Sequence, residues 1–394
     1  MTPFDQELSA RLAAIRASGL HRELRCVDSA QSPRITVAGQ TLLNFSSNDY
    51  LGLANEPALR EAAIHAVERY GAGCGASRLV CGSLRPHHHL ETTLADFKGA
   101  EAALSFSSGY TAALGTVAAL LGKGDFIILD RLVHACIVDA ARLCGAKLRV
   151  FVHNDLAGLE SILRWIDTQT SPAGPGKTRP RTLIVTESVF SMDGGFAPLR
   201  ELVELKDKYG AWLMVDEAHA TGLFGPNRRG MAEALGVSDR IEVQMGTLGK
   251  ALGAAGGYIC GSRPLVEYLV NRARSFIFST APAPSVAAAA AAGIAFVRSP
   301  LGEERRLALM SRIAELPDHL TVATASPPSA IIPILIGNET KAMEVAARLR
   351  HQGVFIPAIR YPTVGRGKAR LRLTITAVHT SEDLAQLAAA LHQV

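Results

Sequence analysis

The chain has 394 residues, 48% hydrophobic and 20% charged, with 41 Lys and Arg against 36 Asp and Glu and a formal net charge of +5. That length allows two domains and a large core. The mild charge and scattered arginines argue against a nucleic-acid role, though a few arginines could meet an anionic substrate such as a phosphorylated carrier. The apolar run Ala287 to Ala292 soon meets Arg298 and is too short for a membrane span, so a packed helix and no membrane role are expected. The opening residues Met1-Thr2-Pro3-Phe4-Asp5-Gln6-Glu7 carry acids and no apolar core, unlike a signal peptide. Cys26, Cys74, Cys81, Cys136, Cys144 and Cys260 form no CxxC pair and no metal-type spacing. Free thiols in a reducing cytoplasm are the expectation.

In chain order, residues 3–25 read as an amphipathic helix with an arginine-rich end, and Arg34 to Leu43 as a short hairpin. From Asn44 to about Ala281, apolar strands alternate with helical stretches. The strand candidates are Ala102–Phe106, Phe126–Leu129, Leu148–Phe151, Thr182–Thr186, Trp212–Val215, Ile241–Met245 and Gly257–Cys260. This alternation predicts an α/β fold, a mainly parallel sheet with helices on both faces. Ser171 to Lys177 is rich in proline and glycine and reads as a surface loop. Beyond Pro284 an alanine-rich helix leads to a strand Ile331–Ile336, a helix Lys341–Gln352, strands Val354–Ile359 and Arg370–Thr374, and a helix Ser381–Gln393. The texture divides the chain into an N-terminal helix and hairpin (1–43), a large domain (44–284) and a smaller α+β domain (285–394). His87-His88-His89 cannot all face one ion from a helix and has no acidic or cysteine partners nearby, so no metal site is expected.

Two segments carry chemistry. Lys250 stands in the glycine-rich Gly246-Thr247-Leu248-Gly249-Lys250, with no acidic neighbour. An amine buried without such a partner becomes a nucleophile, suited to a Schiff base with an aldehyde such as pyridoxal phosphate. On the residues alone, a lysine capping a loop is an equal reading. Trp212-Leu213-Met214-Val215-Asp216 reads as a buried strand ending in a carboxylate, with His219 three residues on. Pyridoxal phosphate needs a carboxylate beside its ring nitrogen, although acidic strand ends facing loops are common. Parallel strands could aim Asp216 and Lys250 into one crevice at the carboxyl edge of the sheet.

Five segments, in order, resemble one family. They are Asn44-Phe45-Ser46-Ser47-Asn48-Asp49-Tyr50-Leu51-Gly52, Gly75-Ala76-Ser77-Arg78-Leu79-Val80, Thr186-Glu187-Ser188-Val189-Phe190-Ser191-Met192-Asp193-Gly194, Val215 to Gly222, and Gly246 to Lys250. Together they resemble the α-oxoamine synthases, pyridoxal-phosphate enzymes of fold type I (aspartate aminotransferase-like). Within the family, Ala358-Ile359-Arg360-Tyr361-Pro362-Thr363-Val364, Ala369 to Thr374 and Phe151-Val152-His153-Asn154-Asp155 look most like the biotin-pathway branch. Tyr361 stands where a second proline is common, and Cys74 and Cys81 occupy usually small positions.

The resemblance implies a homodimer with shared sites that joins L-alanine to pimeloyl-CoA or pimeloyl-acyl carrier protein, losing CO2 and thiol. It implies that Lys250 carries pyridoxal 5'-phosphate and acts as base, and that Asp216 keeps the ring nitrogen protonated. His134 would stack on the ring and touch substrate. His219 and Ser191 would donate to the phenolic oxygen, while Gly109, Tyr110 and Thr247 would hold the phosphate. Without the family, Ser191 reads equally as a turn residue, and the Ser-Gly before Tyr110 as a helix cap. Arg372 would grip the amino-acid carboxylate with its planar fork. A solvent-facing strand arginine is the alternative, and Arg370 shares its parity. Arg22 and Thr363 would meet the acyl substrate, and Asn48 would line the site. The runner-up chemistry within the family pairs glycine with acetyl-CoA, or serine with a long acyl chain. A non-catalytic relative would lack Lys250, Asp216 or His134, and all three are present.

Overall fold

The computed structural model describes residues 1–169, 179–319 and 329–393. The loop expected at Ser171 to Lys177 lies outside them. The chain opens with α1 (Pro3–Ala17), β1 (Arg34–Val37), β2 (Gln40–Asn44), α2 (Pro57–Tyr70) and α3 (Arg85–Lys98). There follow β3 (Ala102–Phe106), α4 (Gly109–Leu120), β4 (Phe126–Asp130), α5 (Ala135–Leu143), β5 (Lys147–Phe151) and α6 (Leu156–Gln169). Next come β6 (Thr182–Glu187), α7 (Leu199–Tyr209), β7 (Trp212–Asp216), α8 (Met231–Ala234), β8 (Val243–Thr247) and β9 (Gly257–Gly261). Helices α9 (Arg263–Arg272), α10 (Arg274–Ile277), α11 (Pro284–Arg298) and α12 (Pro300–His319) lead to β10 (Ile331–Gly337) and α13 (Glu339–His351). The chain closes with β11 (Val354–Phe355), β12 (Ala358–Ile359), β13 (Ala369–Thr374) and α14 (Ser381–His392).

The chain forms two compact units. The larger takes Leu51–Ser191 and Gly195–Arg306, and the smaller takes Met1–Tyr50, Met192–Gly194 and Leu307–Val394. The sequence reading instead divided the chain near residues 44 and 285. The difference at the second boundary follows from α11, whose buried Ala287, Ala290 and Ile294 pack it with α2 and α3.

In the larger unit a seven-stranded sheet runs β3-β9-β8-β7-β6-β4-β5. All its pairings are parallel except those of β9, which runs antiparallel to β3 and β8. Side chains alternate faces along a strand, and here both faces are covered. Ile127, Leu129, Leu183, Val185 and Met214 enter one core with Ala112 and Val117 of α4 and Ile137 of α5. Ile128, Ile184, Leu213 and Val215 enter the other with Leu159 and Leu163 of α6 and Leu199 and Leu202 of α7. Strands buried on both sides read as continuous apolar runs, which is why they stand out in the sequence.

The smaller unit holds two three-stranded sheets, β1-β2-β11 and β10-β13-β12. His379 stacks on Phe45 with ring centroids 4.3 Å apart, and its Nε2 lies 3.0 Å from the Asn44 carbonyl. Burial, above all, pushes the His379 imidazole down to about 4. Arg370 is neutralised by the Asp193 carboxylate and also bonds the Met192 carbonyl at 3.2 Å, fixing the short Met192–Gly194 piece within this unit.

Two elements depart from expectation. The first helix ends at Ala17, short of residue 25, because Ser18 caps it and Gly19 takes φ +68°. None of its residues is buried, so no apolar face is used. The strand expected over Val354–Ile359 is two short pieces separated by Ile356 and Pro357. Proline cannot donate to a ladder and is tolerated only where pairing lapses.

Directly behind the end of β7, Lys98 and Glu217 form a fully buried ion pair of 2.6 Å. Burial opposes the Lys98 charge, but the Glu217 carboxylate outweighs it and raises the ammonium pKa. Glu217 also accepts the Ala232 N–H at 2.8 Å. Gly230 takes φ +137° beside it, where a Cβ would stand 2.2 Å from Glu217 Oε2. Removing one partner leaves the other charge buried, so Lys98→Ala is expected to lower the unfolding free energy by about 3 kcal/mol or more. Urea denaturation of the two proteins side by side checks this.

Candidate active site

The parallel ladder places chemistry at the carboxyl edge of the large unit's sheet. Glu187 of β6 is in register with Asp216 of β7, and Asp216 with Met245 of β8. Thr247 ends β8, and Lys250 follows in the turn after it. A cavity of about 170 Å³ opens there, with Gly109, Tyr110, His134, Asp216, His219, Thr247 and Lys250 in its wall. All seven were picked out by the sequence reading. Ser191 stands outside that wall, and its backbone N–H donates to Glu187 Oε2 at 3.1 Å.

The Lys250 amine lies 2.8 Å from His219 Nε2, so one nitrogen donates to the other and the amine is held at the cavity. Asp216 is 6% exposed and accepts the Ala218 N–H at 2.9 Å. Burial raises its carboxyl pKa, while the Lys250 charge pulls it back. His134 caps α5, its Nδ1 accepting the Cys136 N–H at 3.2 Å with the Cys136 sulfur 3.0 Å away. Burial is the main cause that holds this imidazole below the usual histidine range. With Nδ1 an acceptor, the neutral ring carries its proton on Nε2.

Opposite, Ser108 caps α4 by accepting the Thr111 N–H at 3.1 Å, and Gly109 and Tyr110 begin the helix. The first N–H groups of a helix lack intrahelical partners and favour anions. Gly109 is required by a close approach: a Cβ there would stand 2.7 Å from Thr247 Cγ2. Thr247 Oγ1 is buried with no hydrogen-bond partner among the described residues. An orphan hydroxyl and a helix start on one small cavity fit a phosphate-bearing group. The amine and the buried carboxylate beside them fit an aldehyde and a protonated ring nitrogen. The residues present therefore fit pyridoxal phosphate.

Three cavity residues escaped the sequence reading, Glu187, Cys136 and Met245. Glu187 carried the same signal as Asp216, a carboxylate closing an apolar run, but was read only as part of a motif. Cys136 carried none.

The remaining predicted residues lie in the smaller unit. Arg22, Arg360 and Thr363 line a separate cavity of about 480 Å³ with Arg25 and Arg350, over an apolar wall that includes Met343, Ala347 and Ile356. Arg360 clamps the Gly19 and His21 carbonyls, and Arg22 bonds the Tyr361 carbonyl at 3.1 Å. Asn48 Oδ1 lies 3.4 Å from the Tyr50 hydroxyl. Arg370 and Arg372 are both buried, which removes the solvent-facing alternative. They also differ from each other: Arg370 meets a carboxylate, whereas Arg372 bonds the neutral hydroxyls of Thr374 at 3.1 Å and Tyr50 at 3.5 Å.

Residues 40–391 match the family model described as aminotransferase class I and II. The chain belongs to that family. It is 47% identical to an 8-amino-7-oxononanoate synthase of Citrifermentans bemidjiense over 392 residues, 99% of this chain and 98% of that protein. A protein of the same name from Anaeromyxobacter sp. strain K is 48% identical over 389 residues, 98% of this chain and 95% of the relative. Among solved structures, a serine palmitoyltransferase from S. paucimobilis with a bound PLP–myriocin adduct superposes with a TM-score of 0.90 at 30% identity, covering 100% of this chain and 98% of that one. An 8-amino-7-oxononanoate synthase from Francisella tularensis gives 0.73 at 27% identity, over 89% and 97% of the two chains. The architecture is thus the pyridoxal-phosphate fold type I that the sequence predicted.

Burial, first of all, pushes the Cys136 thiol pKa up, whereas Cys81 is exposed. Thiolate, not thiol, is alkylated. At mildly alkaline pH, iodoacetamide is expected to modify Cys81 at least ~10-fold faster than Cys136, as peptide mass mapping over time would read.

Proposed function

We propose that this chain catalyses the reaction of 8-amino-7-oxononanoate synthases, with pyridoxal 5'-phosphate as cofactor. L-alanine and a pimeloyl thioester, on CoA or acyl carrier protein, give the amino ketone, CO2 and free thiol. The observation that carries this reading is the meeting of Lys250, Asp216, His134 and Thr247 on one small cavity at the carboxyl edge of the sheet. The relatives, 47% and 48% identical over nearly the whole chain, support the choice of reaction. A cytoplasmic homodimer with shared sites belongs to the same proposal.

Bound pyridoxal phosphate supplies an electron-withdrawing ring that accepts the electron pair left when the amino acid loses its α-proton or CO2. The chain's own residues do the rest. Lys250 Nζ would hold the cofactor at its aldehyde group and would serve as general base for the α-proton; His219 Nε2, 2.8 Å away, orients it. Asp216 would keep the cofactor's ring nitrogen protonated, and its burial would strengthen that interaction. Neutral His134, on the cavity wall, would shield the cofactor from water and offer its Nε2 proton to substrate. Thr247 Oγ1 and the N–H groups of Gly109 and Tyr110 hold the phosphate. Arg372, whose side-chain contacts include neutral hydroxyls, takes the alanine carboxylate. Arg22 and Thr363 receive the acyl chain in the cavity whose arginines suit an anionic end and whose apolar wall suits methylenes.

Thiol release decides the reaction. Fast release with L-alanine and pimeloyl-CoA, and little with glycine and acetyl-CoA, is the expected result; the reverse would move the chain to the glycine-using branch. Lys250→Ala is expected to lower turnover by at least ~10³-fold, because it loses both the anchor and the base. Retained activity would sink the mechanism. Arg372→Lys is expected to raise the KM for alanine about tenfold with a smaller change in kcat, since lysine cannot make the two-pronged contact.

A further inference from the structure

Glu187 has no part in the roles assigned above. It ends β6 as Asp216 ends β7, and the parallel register sets the two opposite each other. Residues opposed on neighbouring parallel strands face the same side of the sheet, so both carboxyls reach the one cavity. Glu187 is 2% exposed, less than Asp216.

The two carboxyls are served unequally. The Lys250 charge acts on both, but Asp216 also accepts the Ala218 N–H and feels the His134 ring. Glu187 accepts the Ser191 N–H on Oε2, and the His134 backbone N–H also favours its charged form, but its buried Oε1 has no hydrogen bond of good geometry among the described residues. A buried carboxylate oxygen without a donor is costly, whereas a protonated carboxyl carries its own donor and no charge. The titratable groups around it on the cavity wall are Asp216 from β7, His134 and Cys136 from the start of α5, Tyr110 from the start of α4, and His219 and Lys250 from the links after β7 and β8. Burial keeps His134 neutral and the Cys136 thiol protonated, while the Lys250 charge acts on both carboxyls. Two such groups sharing one site do not both ionise readily.

We propose that Glu187 is a carboxylic acid in this site and a positioning residue for Asp216. Its proton leaves Asp216 as the carboxylate that meets the cofactor's ring nitrogen, and its hydroxyl supplies a hydrogen-bond donor where an unsolvated charge would otherwise stand. The role toward Asp216 rests on the cofactor reading; the protonation does not. Burial first, and the Asp216 charge second, push the Glu187 carboxyl up to about 8. As pH rises through that value the cavity gains a second negative charge, which opposes binding of a phosphate-bearing anion.

Infrared spectra of the full chain freed of cofactor read the carboxylic acid C=O stretch directly. The expected result is a band at neutral pH that fades as pH rises through about 8 and is absent from Glu187→Gln. In Asp216→Asn it should persist with its midpoint at lower pH, because a neighbouring charge has gone. No band at neutral pH, one that survives in Glu187→Gln, or one abolished at every pH in Asp216→Asn, overturns the proposal. Pyridoxal phosphate affinity, read by fluorescence quenching, tests the positioning role. Glutamine mimics the neutral acid, so Glu187→Gln should bind within about threefold of wild type at neutral pH and lack wild type's added weakening at higher pH. A loss beyond about tenfold at neutral pH would overturn that role. A wild-type chain that shows the band but takes up no pyridoxal phosphate supports the protonation and sinks the cofactor reading alone.

Discussion

Three parallel strands ending in step control this site. The hydrogen-bonded ladder of β6, β7 and β8 aligns Glu187 with Asp216 and Asp216 with Met245, and carries Thr247 and Lys250 just past the same edge. Ladder geometry is rigid because both faces of the sheet are packed, with Val185 and Met214 in one core and Ile184, Leu213 and Val215 in the other. A slip of one residue would turn each of these side chains to the wrong face. The apolar cores therefore hold the polar groups in place, and Cys136 and Met245 of one core also line the cavity.

Such an arrangement concentrates charge where water is scarce. The buried Lys98–Glu217 pair sits one residue beyond Asp216, and Glu217 also takes the Ala232 N–H. Its charges cancel each other, so it ties down the end of β7 without adding net charge to the cavity. At the cavity itself, burial moves His134 down and Asp216 and Glu187 up, each toward the neutral form. The shared direction follows from desolvation, and the Lys250 ammonium works against it for both carboxyls.

The sheet was legible in the sequence because doubly covered strands are unbroken apolar runs. Their ends were less legible, for a reason tied to function. The apolar pattern stops at Thr186, Val215 and Met245, while the ladder continues to Glu187, Asp216 and Thr247. Those added residues are polar and belong to the site, so hydrophobicity runs out just where chemistry starts. Asp216 was recovered as a strand-end carboxylate with His219 three residues on, and Thr247 through the family resemblance. Glu187 was not, since nothing local distinguishes a strand-end acid that faces a cavity from one that faces a loop. Cys136 was invisible because its contact with His134 depends on how α5 begins. The first helix failed differently: its apolar residues suggested a buried face, yet none is buried within the chain.

Arg370 and Arg372 show what register adds to sequence. Equal parity on one strand made them interchangeable in the sequence, and both are buried on β13. Their partners separate them. Arg370 is neutralised by Asp193 and also ties the Met192 carbonyl, a structural task. Arg372 reaches the hydroxyls of Thr374 and Tyr50. A hydroxyl contact orients a guanidinium and, unlike a carboxylate contact, brings no opposite charge with it. Equal parity and equal burial thus conceal different contacts, which only the folded register of β13 reveals.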